Sequence, residues 1–531
     1  MPEYLSPGVY IEEFEMGARP IEGVSTSTAG FLGKTERGPV YPKLVTGFED
    51  FKKWYGSYLT DSYTAYGVEG FFLNGGKRCY VGRVLSDANS ETAQGTVGAV
   101  MTIQAIGPGE WGNRIAVKIG KGTMSGSTAS APWDKAKLTV MYWKVAPPTD
   151  PPVDPTDLSL MRDPDRRVPD ILEVYDNLSP DNTSSDFYEK RINGLSRLIR
   201  VKQNTVGGIP AQELAFLNKV GTGINGADGD PIDLEDYKGR EITDSFFTVA
   251  EVIRTGLKGF EAVDEIAILC APDENSVATL SNELIYHCED LKDRFAVLQA
   301  AQTNTDLGAL ERPADSKYAA FYTPWIKILD PLTNTLKLIP PGGHIAGVYA
   351  RSDIERGVHK APANEVLKGA VDLQLKIPKG VQDILNPKGI NCIRYFPGRG
   401  ILIWGARTIS SNSLWKYINV RRLFNFIEES IEEGTQWMVF EPNNENLWAR
   451  VVQTITQFLT RVWRDGALMG TTAEQAFFVK CDRTTMTQDD IDNGRLICLI
   501  GIAPVKPAEF VIFRIAQWQG GSEVSEEKEE K

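Results

Sequence analysis

Side chains able to hold a metal or exchange protons are few and scattered in this 531-residue sequence. Only three histidines occur, His287, His344 and His359, and no two of them stand at the spacing of a metal-binding pair. His287 precedes Cys288, but neither a C-x-x-C nor an H-E-x-x-H motif accompanies them. Because a metal ion needs several converging ligands, we expect the histidines to serve in packing and predict no metal site.

A phosphate-binding loop is most closely approached at residues 70–77, which read GFFLNGGK. A P-loop requires glycine, four residues and then Gly-Lys-Ser/Thr. This stretch has one residue too many, and Arg78 stands where Mg²⁺ would need a hydroxyl group. We interpret 74–77 as a turn after a helix. No G-x-S-x-G motif and no evident pair of catalytic carboxylates occurs, so the sequence predicts neither an active site nor a cofactor.

Composition and charge disfavour several further classes. Lys and Arg total 57 against 70 Asp and Glu, and the net charge of −13 argues against nucleic acid as the main partner. No apolar run reaches the length of about 18 residues that a membrane helix needs, so we expect no membrane insertion. The first residues lack the basic and apolar regions of a secretory signal. Six cysteines in so long a chain fit folding in a reducing cytoplasm rather than a disulfide scaffold.

The apolar pattern predicts a multidomain α/β protein. Residues 24–85 and 236–350 alternate between strand-like and helix-like segments, including a helix over 246–260, and we predict that they form one doubly wound domain. Between them, residues 86–235 carry short β-like runs separated by Gly, Ser and Pro, which predicts a β-rich inserted domain. No glycine fingerprint follows any strand, so we infer no ligand at the strand ends.

Residues 351–507 are predicted to form an α+β C-terminal domain. A helix is predicted over 415–431, and a clearer one over 447–463, where apolar residues recur at steps of three and four. Asn443 or Asn444 is suited to cap the start of that second helix. Two strands follow it, at 477–481 and 496–502.

Each end of the chain has the pattern of a strand that is connected to the rest of the protein by a flexible segment. Residues 1–23 form an extended N-terminal segment with a strand over 9–14, whose apolar or aromatic residues are Val9, Tyr10, Ile11 and Phe14. Residues 508–531 begin with a strand that is apolar on both faces, through Phe510, Val511, Ile512, Phe513 and Ile515, and end in an acidic tail. A strand apolar on both faces belongs in the middle of a sheet. Each end either folds back onto its own domain or is donated to the sheet of a neighbouring subunit.

Several long phrases, in the same order, resemble the sheath proteins of contractile phage tails and bacterial contractile injection systems. These phrases are YLSPGVYIEE at 4–13, GPGEWGNRIAVKI at 107–119, YFPGRGILIWGARTISSNSLWKYINVRRLFNFIEESI at 395–431, FEPNNENLWARVVQTITQFLTRVWRDGALMGTTAEQAFFVKCD at 440–482 and NGRLICLIGIAPVKPAEFVIFRI at 493–515. The resemblance is densest in the last third of the chain and weakest over 120–235.

The resemblance implies a structural subunit that polymerises with itself as stacked six-fold rings around an inner tube protein and contracts to drive the tube through a cell envelope. It implies terminal arms that interlock neighbours by strand exchange, a C-terminal domain that faces the tube and an inserted domain on the outside. Baseplate and terminal cap proteins are the further partners, and after cytoplasmic assembly the subunit belongs to a phage tail or an injection particle. The alternatives are an α/β enzyme of unknown activity, which no motif supports, and a secreted adhesin, which the absent signal disfavours.

Two predicted helices compete for the surface that holds the tube. On the second, a basic and amide face lies opposite the apolar stripe and comprises Arg450, Gln453, Gln457, Arg461 and Arg464. The plain alternative is a solvated face whose last arginines complement the helix C-terminus. On the first helix, Lys416, Arg421 and Arg422 precede a run of glutamates, an order that opposes the helix dipole and indicates a partner or a neighbouring domain. We predict tube binding mainly through Arg450, Arg461 and Arg464, with Lys416 and Arg421 as the second choice.

Overall fold

The computed structural model of the chain describes residues 20–126, 131–244, 246 and 251–514. The predicted N-terminal strand, with Val9, Tyr10, Ile11 and Phe14, lies outside these residues, and so does Ile515 of the predicted C-terminal strand. Within the described residues the chain is mixed α/β.

The first α/β segment runs from residue 29 to residue 83. It contains β1 (Ala29–Gly33), β2 (Lys43–Val45), α1 (Phe48–Tyr55), α2 (Thr64–Leu73) and β3 (Cys79–Arg83). The sequence of α2, TAYGVEGFFL, is apolar around most of its circumference, and most of its residues are buried.

The β-rich insertion follows. It contains β4 (Ser90–Glu91), β5 (Gln94–Val97), β6 (Met101–Ala105), β7 (Ile115–Lys121), β8 (Ala136–Tyr142), β9 (Ile171–Leu178), α3 (Tyr188–Ile192), β10 (Ile199–Gln203), β11 (Gln212–Phe216) and β12 (Ala227–Asp228). The chain then returns to the α/β domain through α4 (Leu234–Lys238), whose Tyr237 is buried in the core of the main sheet, β13 (Glu241–Asp244) and β14 (Glu251–Arg254). The two main sheets of the insertion have the orders β10-β6-β5 and β11-β7-β8-β9. They share a hydrophobic core drawn from residues 93–220, so the insertion has a core of its own.

The second α/β segment completes the main sheet. It contains α5 (Gly256–Phe260), β15 (Ile268–Cys270), α6 (Leu280–Leu291), β16 (Phe295–Gln299), β17 (Ala319–Thr323), β18 (Ile326–Leu329), β19 (Leu336–Ile339), α7 (Gly342–Arg356), β20 (Glu365–Val366), β21 (Asp372–Leu373), α8 (Lys379–Leu385), β22 (Ile390–Phe396) and β23 (Gly400–Trp404).

The main sheet has nine strands in the order β2-β3-β1-β15-β16-β17-β22-β23-β20. The six strands from β3 to β22 are parallel, and β2, β23 and β20 add antiparallel edges. One face packs against α2 and α7, and the other packs against α5 and α6. The strand order reverses direction at β1 and helices cover both faces, which is a doubly wound arrangement.

Glycines allow α2 and α7 to pack closely. A Cβ atom on Gly343 would lie 2.3 Å from the carbonyl oxygen of Gly67, and one on Gly70 would lie 2.1 Å from Nδ1 of His344. Any larger residue at these positions would push the two helices apart and open the core, because protein interiors are close-packed.

The predicted helix over 246–260 is wrong in its first half. The β-branched residues Val252 and Ile253 instead pair with Thr243 and Ile242 in the β13–β14 hairpin. A helix begins only at Gly256, whose φ of 55° lies in the left-handed region that glycine favours.

The predicted domain boundary at 350/351 is also wrong, because β20, β22 and β23 belong to the main sheet. β22 extends the parallel strands, with Phe321 paired to Ile390, and β23 returns beside it. The α/β domain therefore continues at least to Trp404, the last residue of β23.

The last region is built around two long helices. It contains α9 (Ile418–Thr435), α10 (Glu445–Arg464), α11 (Ala473–Ala476), β24 (Phe477–Lys480), α12 (Gln488–Asp492) and β25 (Leu499–Ile502). The apolar stripe of α10 packs with α9, β24 and β25 in one hydrophobic cluster. As predicted, Asn444 caps α10, since its side chain accepts a hydrogen bond from the Leu447 amide at 3.1 Å.

Candidate functional site

Protein side chains fill the crevice at the carboxyl ends of β1 and β15, where doubly wound sheets often hold a ligand. Asp273 follows β15 and accepts hydrogen bonds from the Ser62 hydroxyl at 2.7 Å, the Tyr63 amide at 2.6 Å and the Thr64 hydroxyl at 3.1 Å. Burial raises the pKa of Asp273, and these hydrogen bonds oppose the rise. A Cβ atom on Gly33 would lie 2.1 Å from the Thr64 hydroxyl oxygen. The hydrogen bonds of Asp273 in this crevice therefore connect the loop after β15 to residues 62–64.

His287 and His344 are buried and occupy packing positions. Burial lowers the pKa of His287 to about 3 and that of His344 to about 4, so both rings are neutral at physiological pH. His287 lies 3.4 Å from the Arg294 guanidinium. Within the described residues, no three His, Cys, Asp or Glu side chains are grouped so that they could hold a metal ion.

Over the same residues, no helix combines the length and the apolar character needed to cross a bilayer.

The basic and amide face predicted on α10 is exposed along its whole length. All five predicted side chains lie on the solvent side of the helix: Arg450, Gln453, Gln457, Arg461 and Arg464. Two of them also contact other parts of the chain. The Arg450 guanidinium lies 4.6 Å from the centre of the Trp437 ring, and that of Arg461 donates a hydrogen bond to the carbonyl oxygen of Ile21.

Arg421 does not face solvent, which contradicts its prediction as a tube contact. Its residue exposure is 1%, and its guanidinium lies 4.6 Å from the centre of the Trp415 ring and 2.8 Å from a carboxylate oxygen of Glu428. Aromatic rings thus cover the cation, and an acid on the same helix neutralises it. Lys416 is half-buried, with its ammonium group 3.6 Å from Glu509. The charge order of this helix predicted a partner or a neighbouring domain. The groups that Arg421 and Lys416 contact belong to the same chain.

Negative charges are crowded around Glu429 near the acidic end of α9. Burial and the negative charges of Asp293, Glu432, Glu433 and Asp264 raise the pKa of Glu429 to about 7. Glutamates at the C-terminal end of a helix also oppose its dipole, so this end of α9 costs folding free energy at neutral pH.

The described part of the N-terminal segment lies along α9. Ile21 is buried, and its carbonyl oxygen accepts the hydrogen bond from Arg461. The Val24 amide donates to the Ser430 hydroxyl at 3.1 Å, and Arg422 donates to the Thr26 carbonyl oxygen at 2.8 Å. Residues 21–26, which we call the N-terminal root, are therefore fixed to α9 and α10.

The C-terminal segment is fixed in a similar way before it leaves the body. The Val505 amide donates to the Ala467 carbonyl oxygen at 3.1 Å, and the Asn419 side chain donates to the Val505 carbonyl oxygen at 3.1 Å. Because both the amide N–H and the carbonyl oxygen of Val505 are bonded to the helical region, the chain is held in place at this residue. Residues 504–509 are called the C-terminal root below.

Glu509 is the last anchored residue of the C-terminal root. Its carboxylate accepts two hydrogen bonds from Arg407, each 2.8 Å long, one from Asn386 at 2.8 Å and one from the Tyr417 hydroxyl at 3.0 Å. Burial alone would raise the pKa of Glu509, but these hydrogen bonds and the Arg407 charge lower it to about 2. The carboxylate therefore stays ionised, and this clamp holds, at any physiological pH.

The chain is exposed immediately after this clamp. Four consecutive apolar side chains have relative exposures of 68–83%: Phe510, Val511, Ile512 and Phe513. They form no helix or strand in the described chain. A run of this kind is unusual on a protein surface and indicates a surface that meets a partner.

A two-stranded hairpin with free edges lies in the same region. β24 and β25 pair with each other through Phe477–Ile502 and Lys480–Leu499, and they join no other strand among the residues that the structure describes. Phe478 and Leu499 leave more than half of their surface exposed. Unpaired edges with apolar side chains are templates for the addition of another strand.

The anchoring residues Glu509 and Arg407 were not predicted from the sequence. They lie 102 positions apart, and neither belongs to a recognisable motif. The single available signal was an acidic residue directly before a run of four apolar residues.

Comparison with known proteins identifies one family along the second half of the chain. The family model described as the phage tail sheath protein central domain matches residues 248–409, and that of the phage tail sheath C-terminal domain matches residues 410–517. The junction at 409/410 agrees with the end of the main sheet rather than with the predicted boundary at 350.

Curated relatives carry the same description. A tail sheath protein of Vibrio phage KVP40 is 27% identical over 217 residues, which are 40% of this chain and 30% of that protein. A putative prophage major tail sheath protein of Pseudomonas aeruginosa is 24% identical over 261 residues, which are 47% of this chain and 65% of that protein. The matched segments thus cover less than two thirds of either relative's own length.

Solved structures agree over nearly the whole chain. The helical sheath of the anti-feeding prophage in its contracted state is 25% identical, with a TM-score of 0.57 over 96% of this chain and 99% of that one. The sheath of an extracellular contractile injection system, also contracted, shares the fold at 22% identity, with a TM-score of 0.56. From the two family models and these relatives we conclude that the chain belongs to the contractile tail sheath family, whose members are structural proteins and not enzymes.

Proposed function

We propose that this sheath protein polymerises as stacked six-fold rings around an inner tube and contracts to drive the tube through a target cell envelope. The observation that carries the proposal is the apolar segment Phe510–Phe513, exposed directly after the Glu509 clamp. Full burial of such side chains stabilises an assembly by about 1.5–3 kcal/mol each. A subunit that leaves four of them in water is therefore built to bury them in another copy.

The acceptor that we propose for this segment is the β24–β25 hairpin of a neighbouring subunit. A donated strand gains main-chain hydrogen bonds along its length, and its two apolar faces then lie inside an enlarged sheet. The first arm would be this C-terminal segment, with Phe510, Val511, Ile512, Phe513 and Ile515. The second arm would be the N-terminal strand, with Val9, Tyr10, Ile11 and Phe14.

Terminal arms of this kind suit a machine that acts once without consuming a nucleotide. Such a machine stores free energy in subunit contacts and needs a bistable packing together with links that survive the change. Strand pairing through flexible arms provides the links, while the rigid bodies rotate and form new contacts. The clamped roots, at Ile21–Thr26 and at Glu509, let each body transmit force to its arms.

For the inner tube we propose the exposed face of α10 as the contact. The tube must slide free during contraction, so a polar and modest contact suits it better than a large apolar one. Arg450, Gln453, Gln457 and Arg464 are the side chains best placed for this role, and Lys416 stays a secondary candidate. Arg461 belongs partly to the N-terminal root, because it holds the Ile21 carbonyl oxygen.

We further propose that baseplate and cap proteins close the two ends of the assembly, which forms in the bacterial cytoplasm and then functions in a phage tail or an injection particle. The inserted domain would lie on the outer surface. Two solved relatives, the anti-feeding prophage baseplate and its helical sheath, support partnership with other copies and with a baseplate.

Deleting residues 510–531 tests the arm while leaving the Glu509 clamp in place. We expect folded subunits that remain monomers or short oligomers, because the strand that links neighbours is gone. Electron microscopy and size-exclusion chromatography measure the outcome. Deletion of 520–531 alone is the matched control, and we expect normal tubes from it because that segment is polar and charged. Normal tubes from the 510–531 deletion would contradict the arm hypothesis.

Glu509→Gln tests the clamp through its pH dependence. The folded pKa of about 2 is below the ordinary value near 4.5, so the clamp is fully stabilising above pH 4.5 and weakens as the pH falls toward 2. In the wild type we expect the protection of the amides over residues 504–510, measured against their intrinsic exchange rate at each pH, to decrease in that window. The variant should lack roughly 2 kcal/mol of local protection at pH 7 and vary little with pH.

The matched control for this measurement is Glu355→Gln, which removes the same charge from an exposed position on α7. We expect it to leave exchange over 504–510 unchanged. If Glu509→Gln exchanges like the wild type throughout this segment, the carboxylate does not anchor the arm.

An Arg450→Glu, Arg464→Glu double variant tests the tube contact without disturbing Arg461. We expect sheath that polymerises but encloses no tube, and wild-type tube binding that weakens as salt rises. Lys121→Glu with Arg162→Glu reverses two exposed charges on the insertion and serves as the control. Extended particles filled with tube from the α10 variant would exclude this face.

A further inference from the structure

Two cysteines face each other where the segment that connects β24 to β25 leaves the hairpin and returns to it. The register pairs Phe477 with Ile502 and Lys480 with Leu499, so the next pair outward is Cys481 with Cys498. Each thiol group is close enough to the other to shift its pKa. From this juxtaposition we infer that Cys481 and Cys498 form an intrachain disulfide when the protein meets a small-molecule disulfide such as oxidised glutathione.

The geometry of the hairpin is suited to this bond. Directly opposed residues of an antiparallel pair have Cα atoms about 4.5–5.5 Å apart, which lies within the range of about 4.4–6.8 Å found for disulfides. The chain just outside the pair is also held together, because the Thr485 hydroxyl donates to the Ile497 carbonyl oxygen at 2.9 Å. The bond therefore needs side-chain rotation rather than a movement of the strands.

The other four cysteines are poor candidates for oxidation in the folded protein. Each has a relative exposure of 0%: Cys79, Cys270, Cys288 and Cys392. Cys498 is partly exposed, whereas Cys481 is buried behind it. The exposed member is the thiol that an oxidant reaches first, and the buried member is placed to complete the reaction.

The reaction proceeds by two thiol–disulfide exchanges. The Cys498 thiolate attacks one sulfur of oxidised glutathione, which forms a mixed disulfide and releases one glutathione thiolate. The Cys481 thiolate then attacks the Cys498 sulfur, forms the protein disulfide and releases the second glutathione thiolate. The two protons lost by the cysteines pass to the two glutathione thiolates, so two thiols are oxidised and one small disulfide is reduced.

This oxidation is slow compared with that of an ordinary exposed pair. Burial raises the pKa of Cys481 to about 12 and also raises that of Cys498, so few thiolates exist at neutral pH. A reducing cytoplasm keeps both cysteines as thiols, and an oxidising exterior converts them to the disulfide over time. The expected modification therefore belongs to released particles and not to newly made subunits.

Closing the pair fixes the two strands of the hairpin to each other at the base of the segment that connects them. On the proposed function, that hairpin accepts the arms of neighbours, so the bond would stiffen each junction of an assembled sheath. This consequence depends on the strand-exchange proposal. The formation of the bond does not, because it requires only a folded single chain.

The test uses the purified, folded full-length chain, incubated with oxidised glutathione and then alkylated, digested without reduction and analysed by mass spectrometry. We expect a peptide that links Cys481 to Cys498, the loss of two alkylation sites and no disulfide-linked dimer. Cys481→Ser and Cys498→Ser should each abolish the linked peptide, and Cys481→Ser should retain a mixed disulfide on Cys498. Circular dichroism melting of each variant establishes that it is folded.

Two results would overturn the inference. In one, both thiols remain fully alkylatable after incubation under conditions that oxidise an unfolded sample. In the other, Cys498 links to a second chain, which a non-reducing gel reveals as a dimer. Either result can be distinguished from a failure of the strand-exchange proposal, because the measurement is made on single subunits and does not involve tubes.

Discussion

The buried ion pair between Arg422 and Asp353 joins the parts of the subunit on which the proposed assembly depends. Two nitrogens of Arg422 on α9 donate to the two oxygens of Asp353 on α7, at 2.9 and 2.6 Å, and both side chains are almost fully buried. The same guanidinium holds the Thr26 carbonyl oxygen of the N-terminal root. Removal of one partner from such a pair strands a buried charge and typically costs about 3–5 kcal/mol. One cation therefore fixes the helical region and the N-terminal root to the α/β domain.

Helix α9 is also the common support of the two chain ends. Its first residues and the residues just before it bind the C-terminal root through Asn419, Tyr417 and Lys416, whereas Arg422 and Ser430 bind the N-terminal root. A helix transmits displacement along its axis because its backbone is fully hydrogen-bonded. On the proposed function, a pull on one arm therefore reaches the other arm through α9, and the links between subunits form a continuous mechanical path. The hairpin that would accept the arms lies in the same hydrophobic cluster as α9 and α10.

The sequence predicted the regular and local features of this protein well. Apolar residues at steps of three and four located α9 and α10 to within a few residues, and the alternation of strands and helices predicted the doubly wound sheet. The domain boundary was misplaced because β22 and β23 are joined to the sheet by pairing with a strand that lies about seventy positions earlier. The burial of Arg421 was missed because its aromatic cover includes Tyr318, which is remote in sequence. The Glu509 clamp was missed for the same reason: its partners converge only in the fold.

On the proposed function, the C-terminal arm of one subunit pairs with the hairpin of another. This pairing can be measured with a photo-crosslinking amino acid at position 511, in tubes assembled from equal amounts of isotopically heavy and light subunits. We expect peptides that link position 511 to β24 or β25, with heavy-to-light pairs as frequent as pairs of the same label. Links confined to peptides of the same label would place the arm on its own chain and rule out strand exchange between subunits.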